Sequence, residues 1–178
     1  MTIPPGLNTI LSEAYEHAEQ RGFPPFSGNI KATTPVNSLP YVTSFQRFRA
    51  RYTDERRHQL LSRLDRVLQR ARDLGVVIEY MLCGGSFILL DKTPNDLDCV
   101  LFYRLAPEAA AAVPDLQELQ IVAVKRGVDC RLIPLDGSPL VVLKSAIYFG
   151  LIYALEMREQ DHPAVVGCGP ILVSFEEE

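Results

Sequence analysis

Just past Gly75 the chain changes its hydrophobic period, and no other feature limits its fold as much. Before it, Leu60, Leu61, Leu64, Val67, Leu68 and Ala71 recur at three- and four-residue spacing, the stripe of an amphipathic helix. After it, Val76-Val77-Ile78-Glu79-Tyr80-Met81-Leu82 is a β-branched, extended run. A segment patterned for one period does not settle into the other, so this chain must pack helices against strands. Asp96 to Tyr103 reads as a second strand and Val128 to Ile133 as a third, closed by Pro134 and the turn Asp136-Gly137. Between them, Pro107 to Arg126 reads as helical and interrupted at Pro114. Ser138 and Pro139 suit the cap and first residue of a helix reaching about Gln160, and Ile171 to Phe175 reads as a last strand before the acidic tail. The fold class is α/β, in an α+β arrangement: flanking helices on a small mixed sheet.

The ends of the stripe-bearing helix are marked. Thr53 is placed to cap it, Asp54 and Glu55 fall in its first turn, and Gly75 follows its end. Upstream, Leu11, Ala14, Tyr15 and Ala18 predict a short helix over Asn8 to Arg21, stopped by Gly22 and the Pro24-Pro25 pair. Gly22 to Phe45 carries Pro24, Pro25, Pro35 and Pro40 without a period and reads as an arm over the surface or toward a partner. The chain therefore divides into a helix and Pro-rich arm over residues 1–52 and an α/β domain over 53–178.

Composition excludes several classes. With 47% hydrophobic and 22% charged residues, the chain is an ordinary globular protein rather than a disordered or fibrous one. Its net charge of −4 argues against a general nucleic-acid coat. One region runs the other way: nine arginines lie between Arg47 and Asp73 against four acidic residues. They read as a solvated helix face first, and as a landing strip for phosphates or RNA second. Cys83, Cys99, Cys130 and Cys168 form no C-x-x-C pair, which points to a reducing, cytoplasmic setting without structural zinc. Nothing at the N-terminus reads as a signal peptide. Leu140 to Met157 is broken by Lys144 and too short to span a membrane, and Val141, Ile147, Tyr148, Leu151, Ile152 and Leu155 predict a buried helix there.

The residues with chemical potential follow the strands. The first strand ends in Cys83-Gly84-Gly85-Ser86, the second begins with Asp96-Leu97-Asp98, and Asp129 lies within the third. Alternation sends Asp96 and Asp98 to one face and Leu97 and Cys99 to the other. If the third strand lies beside the second, Asp129 joins them, and three carboxylates on one face call for cations between them. Oxygen donors of this kind suit Mg²⁺, which shares its sites with substrate phosphates. Gly84 and Gly85 permit close approach of a phosphate, to which the Ser86 hydroxyl and N–H can donate. Cys99 and Cys130 then face away as small core residues. The histidines His17, His58 and His162 are scattered, Lys144 reads as a snorkelling lysine, and Glu79 has no partner in the pattern.

The order strand, Gly-Gly-Ser, spacer, Asp-x-Asp on a strand, and a later lone Asp on a strand resembles the DNA polymerase beta-type nucleotidyltransferase superfamily in a minimal form. The resemblance covers roughly Val76 to Ile133. It implies that Gly84, Gly85 and Ser86 hold the triphosphate of an NTP such as ATP, and that Asp96 and Asp98 bind two metal ions, Mg²⁺ or Mn²⁺. Asp129 would complete the metal that activates the acceptor. The implied reaction moves an NMP group to a hydroxyl of a protein, RNA or small molecule and releases pyrophosphate. Two departures stand out. Phe87-Ile88-Leu89-Leu90 follows Ser86 where short toxin–antitoxin members often carry an arginine, and the chain is short for a separate helical substrate domain. The alternative expectation is an inactive nucleotidyltransferase-fold module that binds a nucleotide or a partner protein.

Overall fold

The computed structural model describes residues 40–90, 92–107, 109, 113–156 and 170–175. The expected helix at Asn8 to Arg21 and most of the Pro-rich arm lie outside the described residues, as do His17, His162 and Cys168.

The elements in chain order are β1 (Tyr41–Ser44), α1 (Phe45–Arg51), α2 (Glu55–Asp73), β2 (Val76–Gly84), a one-turn 3₁₀ helix (Gly85–Ile88), β3 (Leu97–Leu105), α3 (Val113–Lys125), β4 (Val128–Pro134), α4 (Pro139–Glu156) and β5 (Ile171–Ser174). The five strands form one mixed sheet in the order β1-β5-β2-β3-β4. β1 runs parallel to β5 and β3 parallel to β4, while β2 is antiparallel to both β5 and β3. The expected α/β class with a small mixed sheet is what the chain adopts.

Alternation along the strands divides the interior in two. Met81 and Cys83 of β2, Leu97, Cys99 and Leu101 of β3, and Val128 and Cys130 of β4 face the larger core. There they meet Phe48 and Tyr52 from the α1 segment, Leu60, Leu61, Leu64, Val67, Leu68 and Ala71 of α2, and Leu119 and Ala123 of α3. The stripe expected for α2 is buried throughout. Leu82, Val100 and Phe102 face the other way, under Tyr153, Val142, Ala146, Phe149 and Ile152 of α4.

Several details differ from the sequence reading. Tyr41–Ser44, expected as the end of the arm, is an edge strand, and α1 follows it with Ser44 as its cap. Four residues are too few for alternation to announce a strand. The cap of α2 is Asp54 rather than Thr53, its Oδ1 accepting from the Arg57 N–H at 3.0 Å. Pro114 sits in the first turn of α3, where a missing N–H costs no intrahelical bond. Glu79 is not alone, because Arg104 on β3 donates Nε–H to its Oε1 at 2.7 Å. The largest departure is α4: Val141, Ile147, Tyr148 and Leu151, expected to be buried, are exposed, because the helix turns its Val142, Phe149 and Tyr153 side to the sheet.

Candidate functional site

The sheet register assembles the site. Gly84 closes β2 and pairs with Asp98 on β3, and Asp98 in turn pairs with Asp129 on β4. One row across three strands therefore carries a glycine and two carboxylates, at the end of the sheet where β2 finishes and β3 and β4 begin. Cys83, Cys99 and Cys130 lie beside this row but face the larger core, so Gly84, Asp98 and Asp129 are left on the α4 side.

The chain turns sharply after Gly84. Gly85 has φ +66°, a conformation costly for side chains with a Cβ, and a Cβ there would overlap Oδ2 of Asp98. The Asp98 carboxylate thus rests against the backbone of the Gly-Gly-Ser turn. Ser86 follows in the 3₁₀ helix, its carbonyl accepting from the Leu89 N–H at 3.3 Å. Gly84 has its own reason to lack a side chain, because a Cβ would run into the Tyr153 ring from α4. Tyr153 is buried, and its hydroxyl is held un-ionised, first by burial and then by the nearby Cys99, Cys83, Asp98 and Asp129. This ring lies over the Gly84 end of the row.

Asp129 already has a counter-charge. Arg131, two residues along the same strand and on the same face, donates Nη1–H to its Oδ1 at 2.6 Å. Both side chains are about four-tenths exposed, so the pair is weakly stabilising. Asp96 stands apart from the row. It lies in the bend before β3, because strand pairing starts where the Leu97 N–H donates to the Gly127 carbonyl at 2.9 Å. Among the described residues, no group of three or more His, Cys, Asp or Glu side chains is gathered to hold a metal ion. The register brings together Asp98 and Asp129 of the expected three.

Behind the turn is a residue the sequence reading placed on a solvated face. Arg57, in the first turn of α2, is buried. Its Nε donates to the Phe87 carbonyl at 2.7 Å, and its Nη2 to the carbonyls of Lys92 at 2.8 Å, Leu89 and, at 3.4 Å, Ser86. Nη1 pairs with Oδ2 of Asp54 at 2.9 Å, and the guanidinium lies over the rings of Tyr52 and Phe87. Four carbonyls of the segment after Gly85 are therefore fixed from one side chain. A signal existed, since a cation in a helix's first turn opposes the helix dipole. Tyr153 was also missed; its four-residue spacing from Phe149 on an otherwise uniformly apolar helix does not distinguish an inner face.

No curated protein and no solved structure matches this chain. One family model does, over residues 20–161. That span takes in α1 through α4 and every residue of the candidate site, so the chain belongs to a family of unknown function, DUF6932.

Proposed function

We propose that this protein is a divalent-metal-dependent nucleotidyltransferase that passes an NMP group from an NTP to an acceptor hydroxyl. The observation that carries the reading is the row Gly84, Asp98, Asp129, with the Asp98 carboxylate seated against a glycine turn too tight for any Cβ. A glycine turn held this close to a carboxylate lets backbone N–H groups and a cation meet one anionic ligand. The donors on this face are oxygens only, which fits Mg²⁺ or Mn²⁺ completed by phosphate oxygens and water. Asp98 and Asp129 would hold the ion, which when bound neutralises charge developing on the phosphates and the departing pyrophosphate. The backbone at Gly84 and Gly85 and the Ser86 hydroxyl would orient the triphosphate. Asp96, two residues before Asp98, is the third ligand of the sequence expectation and stays part of the proposal. The proposed setting is the cytoplasm, and the acceptor is a protein, an RNA or a small molecule. No helix among the described residues is long and apolar enough to cross a membrane.

A second reading has its own support. Arg131 already supplies a cation to Asp129, and an intramolecular ion pair needs no metal. That favours a binding module that keeps the fold without catalysis. Thermal unfolding separates the two, measured on the wild type and Asp98→Ala with Mg²⁺ alone and with each of the four NTPs. A site filled at a hundredfold excess over its Kd adds about 2.7 kcal/mol. For a chain of this length that corresponds to a rise in Tm of roughly 5–10 °C. The nucleotidyltransferase reading expects this rise with at least one NTP, only with Mg²⁺ or Mn²⁺, only in the wild type, and with label passing from that NTP to a component of a cell extract. A rise without metal dependence or label transfer favours the module, and no rise with any NTP refutes nucleotide binding.

A further inference from the structure

The helix α4 is apolar around most of its circumference, broken by Lys144 and Ser145, and the sheet covers one side of it. Val142, Ala146, Phe149, Ile152 and Tyr153 pack on the sheet. Leu140, Leu143, Ile147, Tyr148 and Leu151 are 56–73% exposed, and Val141 is half exposed. A helix without a polar face is a buried helix in a finished protein. Their exposed surface amounts to roughly 600 Å², at the top of the ~300–600 Å² that a monomer's largest apolar patch normally shows.

We propose that this face is the dimer interface of the protein, with α4 packing antiparallel against α4 of a second copy. The order of residues along the helix favours this occupant. Leu143 and Leu151 stand four residues to either side of Ile147, so these three side chains are symmetric about its level, while Val141 and Tyr148 lie about 100–120° round the helix and flank the contact. A twofold axis at Ile147 sets that residue on the partner's Ile147, and Leu143 on the partner's Leu151. The same operation sets Lys144 on the partner's Gly150. Gly150 has open space around it, with nothing within 4 Å of where a Cβ would stand. The lysine stem can therefore cross the helix there and carry its ammonium to solvent. A self-complementary patch is what a twofold interface requires. Leu140, Leu143, Ile147 and Leu151, the side chains turned to the partner, bury roughly 900 Å² in two copies, the size of a weak, concentration-dependent dimer below the ~1,200–2,000 Å² of stable interfaces. The candidate site stays accessible, since Tyr153 and Gly84 lie on the opposite side of α4.

The test uses the full chain. Sedimentation velocity between about 1 and 100 µM should give a dimer for the wild type and a monomer for Ile147→Glu, a shift of tenfold or more in Kd for a charge at the centre of an interface. The monomeric variant should keep the wild-type circular dichroism spectrum, because Ile147 is 61% exposed within one copy. Cysteine pairing fixes the geometry in a Cys168→Ser background, where Cys83, Cys99 and Cys130 are buried and out of reach. Antiparallel packing places equivalent Leu143 positions about 12 Å apart along the axis, beyond disulfide reach. Oxidation should therefore cross-link Ile147→Cys with itself, and Leu143→Cys with Leu151→Cys when the two are mixed, but neither of the latter alone. A monomeric wild type overturns the proposal. So does a dimer that Ile147→Glu leaves intact, or a Leu143→Cys protein that cross-links to itself as well as the mixture does. Should Ile147→Glu fail to fold, the cysteine pattern decides alone.

Discussion

Replacing Arg57 by methionine isolates what one buried guanidinium does for this fold. The methionine side chain keeps an apolar stem against the paired Tyr52 and Phe87 rings, so packing is largely preserved while the donors vanish. Lost with them are the bonds to the carbonyls of Phe87 and Lys92 at 2.7 and 2.8 Å, to Leu89, to Ser86 at 3.4 Å, and the ion pair to Asp54 at 2.9 Å. The Arg57 side chain is 4% exposed and Asp54 44%, so the ion pair contributes least and the carbonyls most. The Ser86 and Leu89 carbonyls keep the N–H groups of Leu89 and Lys92 as donors and Lys92 is exposed to water, so the cost of a buried carbonyl that loses its donor, about 1–3 kcal/mol, falls on Phe87. The weaker losses at the other three carbonyls add to it, so we expect a net loss of about 2–4 kcal/mol, a large part of the ~5–15 kcal/mol that holds a domain together. Urea unfolding followed by circular dichroism, with the slope m unchanged, measures it directly. Arg57→Lys should recover less than half of the loss, because an ammonium cannot reach in three directions from one planar fork. A loss below about 1 kcal/mol in Arg57→Met, or full recovery by lysine, would refute the view that these bonds pin the segment after Gly85.

Two pH effects follow from the same contacts. Desolvation raises the Asp54 pKa, but the Arg57 backbone N–H and guanidinium outweigh it and hold the carboxyl below its usual value. Its folded pKa being the lower one, its contribution is present above the unfolded value near ~3.9 and is lost as pH falls through the folded value. Asp54→Asn should therefore be less stable than wild type at pH 7 and converge with it near pH 2, and a constant gap between urea midpoints across that range would contradict the assignment. On the alkaline side, burial and then the Asp129 charge push the Cys130 thiol up to about 11, and burial pushes Cys83 and Cys99 up further. These folded values exceed the unfolded ~8.5, so the stability they add is full below that pH and declines as pH rises above it. A thiol reagent at pH 8 should leave all three unlabelled in the native protein and label them in urea, as read by peptide mass spectrometry; native labelling of any of them would show that the core at that position opens.

Periodicity made the frame legible. The stripe of α2, the β-branched run of β2 and the short strand around Asp129 each carry a pattern longer than a few residues, and each formed where expected. What periodicity cannot encode is pairing. That β3 and β4 lie side by side in parallel, with Asp98 opposite Asp129, is a property of the crossover through α3 and could only be posed as a condition. The local choices of polar groups were legible in kind but not in partner: Thr53 and Asp54 compete for one cap, and Glu79 gains Arg104 only through the register of β2 with β3. In α4 the sequence misled for a different reason. A helix apolar on every side has no moment to orient it, so which half meets the sheet depends on shape, here the fit of the Tyr153 ring over Gly84.

The arginines of residues 47–72 show how the fold redirects a charge count. Read as a list, they make a basic strip; read by partner, much of the strip is already committed. Arg49 holds Asp65 with both carboxylate oxygens, at 2.5 and 2.7 Å. Arg56 reaches the carbonyls of Pro94, at 2.9 Å, and Asn95, just ahead of Asp96. Arg57 holds the segment from Ser86 to Lys92, and Arg63 donates to the Arg126 carbonyl at 2.9 Å, at the turn that leads into β4 and Asp129. Arg66 and Arg70 border a cleft of about 190 Å³ whose other wall carries Asp115 and Glu118. Acidic neighbours of that kind cancel much of the field an RNA backbone would meet. Three of these arginines instead act on the turns and loops that deliver the two sides of the candidate site, the one after Gly84 and the ones before Asp98 and Asp129. The first three turns of α2 thereby tie together loops distant in sequence through carbonyl groups, which every residue has and no motif records.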